Sequence, residues 1–200
     1  MKNIYRNLTV IAGCTLLLAA CSKDRLVVEP VNEVLSSNYY QTEDQVASAL
    51  IGVYDPIGWS MAYGQWISPT MMGEIRSDNA NAGGDPSNND QPGWQELDDF
   101  TNTNSNVVLH PIYRKGYIGI SRANALLDLT EIESDAVTSY KAQAKWLRAY
   151  YHFELFRHFG PIPVVNQSLT PEDMNLERGT LSEVMQQIVT DCEEDLPHLP

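Results

Sequence analysis

Apolar positions recur every three or four residues in several stretches of this chain and lose that period in others. Thr42-Glu43-Asp44-Gln45 has the form of a capping box, whose threonine oxygen and glutamine side chain satisfy leftover backbone N–H groups. The helix it opens is expected to bury Val46, Ala49, Leu50 and Val53 and to close at Pro56 and Gly58. Helical order returns near Val107, where Tyr113, Tyr117, Ile120 and Leu127 make one stripe. Gly116, Gly119 and Ala123 run beside it, small enough to let another helix come close. Asn124 falls in the stripe, and a buried amide there predicts a hydrogen bond to a neighbouring loop backbone. The next helix spans about Asp135 to Phe159. It carries Ala144, Leu147, Tyr151 and Leu155 on one face and Trp146, Ala149, Tyr150, Phe153 and Phe156 on others, so it is expected to lie between neighbours. Gly160-Pro161-Ile162-Pro163 stops it. After an extended Val164-Val165, Thr170-Pro171 reads as a cap followed by proline in the first turn. Thr180-Leu181-Ser182-Glu183 is a second capping box, and its helix sets Leu181, Val184, Ile188 and Cys192 on one face before Pro197.

Helices of similar size joined by short turns pair antiparallel, and stacked pairs form a solenoid. The expected fold is therefore all-α, with tetratricopeptide-like stacked helical hairpins. Ala149 and Phe153 match the A-x3-F element of that repeat, without the rest of it. Between Trp59 and Asn106 no helical period survives. That stretch is rich in Gly, Asn, Asp and Pro, yet it holds Trp59, Tyr63, Trp66 and Trp94. Long irregular segments inside a compact domain are commonly functional. Large aromatics among turn residues point to a packed or ligand-facing surface.

The first residues carry a different signal. Lys2 and Arg6 precede an apolar run from Leu8 to Ala20, too short to span a bilayer as a helix. The run ends in Leu18-Ala19-Ala20-Cys21, which resembles the lipobox of bacterial lipoproteins. Residues 1–20 are thus expected to be a signal peptide, with Cys21 the site of lipid attachment. Stable anchoring takes more than one acyl chain, such as palmitate. Residues 21–40, polar and interrupted by Pro30, read as an extended tether.

The chain has a net charge of −13. A surface that acidic excludes nucleic acid, which needs a basic footprint, and disfavours lying flat on anionic lipid. Of three cysteines, Cys14 falls within the leader and Cys21 is committed to lipid. Cys192 is then alone, so core packing must stabilise the domain without an intrachain disulfide. His110, His152, His158 and His198 do not share metal-ligand spacing. The Asn79, Asn81, Gly83 and Asp85 alternation lacks the Asp-led spacing and closing Glu of a calcium loop. No nucleophile, phosphate-loop or dinucleotide motif appears. The expectation is a non-enzymatic protein with no metal and no cofactor.

Several blocks together resemble the SusD/RagB family of outer-membrane nutrient-binding lipoproteins. They are Tyr113 to Leu127, then Ala144-Lys145-Trp146-Leu147-Arg148-Ala149-Tyr150-Tyr151-His152-Phe153 running on to Pro163-Val164, and Arg178-Gly179-Thr180 through Asp191 to Pro200. The blocks appear in family order behind the lipobox. The resemblance implies a helical domain over 41–200 and a place on the exterior of the outer membrane in Bacteroidetes-type bacteria. It implies capture of an oligosaccharide or polysaccharide, or for some members a peptide, and delivery to a TonB-dependent SusC-like transporter. Family members are generally longer, so the sequence is expected to be the N-terminal part of a longer protein. The alternative is a scaffold lipoprotein whose helical repeats bind only a partner protein.

Sugar recognition combines aromatic faces with Asp and Asn hydrogen bonds. By position in the family pattern, Asp78 and Trp94 are the expected ligand contacts, with Arg76, Asn81 and Trp66 nearby in sequence. Trp66 and Trp94 could instead anchor the segment to the helices, and Asp78 could cap a turn.

Overall fold

The computed structural model describes residues 39–62, 65–88, 90–173, 175–194 and 196–200. The leader, Cys21 and nearly all of the expected tether lie outside the described residues. Helix α1, Glu43–Tyr54, begins with the expected capping box. Thr42 Oγ1 accepts the Gln45 amide at 3.3 Å, and the Gln45 side chain accepts the Thr42 amide at 3.2 Å. Val46, Leu50 and Val53 point inward. The chain then tightens into a 3-10 turn, Asp55–Gly58, where Pro56 occupies a first-turn position that needs no N–H.

A two-residue antiparallel ribbon follows, β1 (Met61–Ala62) and β2 (Gln65–Trp66). Two seven-residue helices come next, α2 (Pro69–Ile75) and α3 (Pro92–Asp98). The three long elements are α4 (Leu109–Leu129), α5 (Asp135–Phe159) and α6 (Leu181–Glu193). Among the described residues, no helix is long and apolar enough to cross a membrane. The architecture is all-α stacked hairpins, as expected, and the region between α1 and α4 is irregular but punctuated by two short helices.

The α4–α5 hairpin depends on the glycines. A Cβ on Gly116 would lie 2.6 Å from Leu155, and one on Gly119 would run into the Tyr151 ring. That closeness lets the Tyr151 hydroxyl pass beyond α4 and donate to the Val53 carbonyl of α1 at 2.6 Å. Helix α5 is flanked by α1, α4 and α6. Its Trp146 and Phe153 nevertheless stay 44% and 45% exposed, so Phe153 is not the packed aromatic that an A-x3-F repeat element implies. On α6, Val184 is buried while Leu181 faces out.

A buried polar network ties these helices to the exit of α5. Arg148 grips Asp191 through two hydrogen bonds of 2.8 and 2.6 Å. Its Nη1 donates to Asn124 Oδ1 at 2.7 Å and to the Asn166 carbonyl at 2.8 Å. Asn124 in turn donates to the carbonyls of Val165 and Gln167, which is the loop contact its sequence position predicts. The Val165 amide lies 3.3 Å from His152 Nε2, whose other ring nitrogen is 2.9 Å from the Arg148 carbonyl. That pattern requires the neutral imidazole, protonated at Nδ1. Burial enforces it by pushing the His152 pKa down to about 4.

Two cores result. The larger joins α1, α4, α5 and the start of α6. The smaller comprises Ile67, Met72, Ile75, Trp94, Leu97, Val108 and Ile112. Phe159, at the end of α5, packs against both.

Candidate functional site

The segment between α1 and α4 is organised by side chains that hydrogen-bond backbone. Asn81 and Asp85 each accept an amide two residues on, from Gly83 at 2.7 Å and Ser87 at 2.8 Å, closing Asx turns. Those contacts to Ser87 hold the Asp85 carboxyl below its ordinary pKa. Asp98 accepts the Ala82 amide at 3.0 Å, and Gln95 donates to the Gly83 and Asp90 carbonyls. Buried Asn106 fastens the exit, donating to the Gly93 carbonyl and to Glu96 while accepting the Val108 amide. Both ends of the polar loop are therefore stitched to α3.

Helix α3 ends in an unusual way. The Thr101 amide bonds back to the Glu96 carbonyl at 3.0 Å, which is the closing bond of a Schellman motif. The residue in the left-handed position of that motif is normally glycine, but here it is Phe100, at φ 56°. A bulky side chain there costs roughly 1–2 kcal/mol, and the ring is 64% exposed, so burial does not offset the cost. Arg76, at the end of α2, lays its guanidinium 4.8 Å from the Phe100 ring centroid. Its Nη1 donates to Asn102 Oδ1 at 3.1 Å. Arg76, Phe100 and Asn102 thus form a shelf with an apolar face, cationic donors and an amide.

Two residues past Asn102 the chain borders a cleft of about 280 Å³ lined by Asn104, His110, Tyr113, Phe159 and Arg178. The Tyr113 and Phe159 rings meet edge to face at 5.1 Å. Two residues of extended chain reach at most about 7 Å, so shelf and cleft are neighbours.

Of the five expected contact residues, Arg76 sits in the shelf. Asp78 and Asn81 lie exposed in the turns that follow it, with the Asn81 oxygen engaged by Gly83. Trp66 stands on the ribbon, 45% exposed. Trp94 is placed differently: it is 2% exposed and packs in the smaller core, with its Nε1 buried and unpartnered among the described residues. So placed, Trp94 packs the segment against the start of α4 and does not face solvent. Phe100 and Asn102 were not singled out by the sequence. The signal was an isolated aromatic inside the polar run Asp98-Asp99-Phe100-Thr101-Asn102.

Comparison with known proteins gives this arrangement its context. SusD-like protein P2 of Formosa agariphila is 24% identical over 190 residues, which cover 92% of this chain and 36% of that protein. Among solved structures, surface glycan-binding protein A from Bacteroides uniformis matches with a TM-score of 0.70 and 27% identity, over 78% of this chain and 34% of its own. A laminarin-binding SusD-like protein matches with a TM-score of 0.69 and 28% identity, over 80% of this chain and 35% of its own. The chain spans about a third of the length of these relatives. A family described as SusD-like, "starch-binding associating with outer membrane", matches residues 26–200, and the chain belongs to that SusD-like family.

Proposed function

We propose that this chain captures a glycan at the Arg76–Phe100–Asn102 shelf and the adjoining cleft, without catalysis, for delivery to a SusC-like TonB-dependent transporter. Lipid on Cys21 and a tether over 21–40 would hold it at the exterior of the outer membrane. The observation that carries the reading is Phe100, an exposed ring held in a costly backbone conformation beside a stacked arginine. An exposed aromatic face suits the apolar face of a pyranose, and Arg76 and Asn102 suit its hydroxyls. Relatives described as glycan-binding or laminarin-binding support the ligand class. Asp78, Asn81 and Trp66 are proposed as further contacts.

Affinity electrophoresis of the full chain against a polysaccharide panel that includes laminarin tests this. Retention by laminarin is expected, with about tenfold weaker retention for Phe100→Ala. Retention by no polysaccharide, or unchanged retention of the variant, would count against it. The scaffold reading draws on exposed Trp146 and Phe153 on α5 and Leu181 on α6. Under it, changes at these three residues disrupt a pull-down of the transporter while Phe100→Ala has no effect on any ligand.

A further inference from the structure

A second cleft, of about 280 Å³, opens where the 3-10 turn leads into the ribbon and meets α4 and α5. Trp59, Ser60, Ser68, Lys115, Tyr150 and Glu154 line it. Lys115 is 7% exposed, an unusual place for an ammonium unless it is well satisfied. It donates to the Trp59 carbonyl at 2.9 Å and the Ile57 carbonyl at 3.4 Å. An ammonium has three N–H groups, so one remains. Burial lowers the Lys115 pKa, and the nearby Glu154 charge acts in the opposite direction.

Glu154 has capacity left as well. One oxygen accepts from Arg157 Nη2 at 3.0 Å and the other lies 3.0 Å from Arg157 Nε as an ion-pair contact, and Arg157 also borders the cleft. A carboxylate offers about four acceptor positions. Behind Lys115, Tyr150 and Glu154 lies an inner pouch of about 20 Å³, room for a single water. His158 lines that pouch, and its buried Nε2 has no hydrogen-bond partner among the described residues, the Glu154 carboxylate lying 3.8 Å away.

A buried spare donor beside a carboxylate with spare acceptors restricts what can bind. A free anion meets Glu154, a cation meets Lys115 and Arg157, and an apolar group leaves the spare donor and acceptors unsatisfied. A vicinal diol serves both, offering an oxygen to the ammonium and a proton to the carboxylate. The volume is close to the lower end of ligand pockets, about 300 Å³, which suits one ring rather than a chain. Trp59 and Tyr150 supply aromatic wall.

We propose that this cleft is a second saccharide subsite that takes one uncharged pyranose, with two adjacent hydroxyls spanning Lys115 Nζ and the Glu154 carboxylate. The ligand class rests on the glycan reading above, but the place and the chemistry are independent of the shelf. The test is amide and indole NMR of the full chain titrated with laminarin, D-glucose and D-glucuronate. D-Glucose is expected to shift the amides of Gly58, Ser60 and Ser68 and the Trp59 indole, with a weaker response to D-glucuronate. Lys115→Met and Glu154→Gln should each weaken that response about tenfold and leave the Phe100 and Asn102 amides responding to laminarin. Should Lys115→Met fail to fold, Glu154→Gln, at a half-buried surface position, and the wild-type shift map still decide. Shifts confined to Phe100 and Asn102 would overturn the subsite and leave the shelf standing. Shifts at the cleft alone would uphold the subsite and remove the shelf. No shifts at either place would overturn both, and a stronger response to D-glucuronate would overturn the uncharged ring.

Discussion

Arg148 and Arg76 each donate to an asparagine oxygen, at 2.7 and 3.1 Å, in opposite settings. Arg148 is 6% exposed and gives three further hydrogen bonds, two to Asp191 and one to a loop carbonyl. Arg76 is half-buried, its guanidinium against a solvent-facing ring. The buried arginine holds helices in register, and every group it touches is committed. The half-buried arginine holds a shape with donors left over. The helical stack and the loop region thus use one pair of residue types for two ends, architecture in the first and availability in the second.

On that division, damage to the stack should be global and damage to the loop region local. Arg148→Ala leaves Asp191 charged and buried without its partner, and should cost about 4 kcal/mol, read as a large fall in the urea midpoint of the whole chain. Trp94→Ala empties the centre of the smaller core and should cost about 3 kcal/mol. Hydrogen exchange should then show residues 65–108 opening while α5 stays protected. Simultaneous opening of α5 would mean that Phe159 makes the two cores one cooperative unit. Acid should act on the stack through His152, whose folded pKa of about 4 lies below its ordinary 6.5. Its contribution is complete above the higher value and declines as pH falls through the interval between the two. From about pH 7 to about pH 5 the loss is about 2 kcal/mol, measurable as a drop in Tm that His152→Gln should flatten. Asn81→Ala should be the mildest, about 0.5 kcal/mol, with deprotection of the Gly83 amide and little else.

The same division decided what could be read from the sequence. The bounds of α5 and both capping boxes were legible because each rests on contacts within a few residues of chain. Asn124 was legible because an amide inside an apolar stripe has few other ways to be satisfied. Helices α2 and α3 were not, since seven residues make too few turns for a period to emerge. The burial of Trp94 was not legible for a related reason. It depends on Val108, just before α4, and Ile112 within it, while its sequence neighbours are polar. The Arg148–Asp191 pair lay in blocks recognised for their resemblance, but its ion-pair role is a matter of helix packing that spacing along the chain does not encode. Phe100 became visible only with its backbone angle.

That angle bears on how the protein would respond to selection. Glycine at position 100 would relieve the left-handed strain and improve stability by about 1 kcal/mol or less, without disturbing either core. A screen for heat resistance alone would therefore accept Phe100→Gly readily, and its winners would lose the ring on which ligand is proposed to rest. Tolerance of phenylalanine there, generation after generation, would be a record of demand for the ring itself.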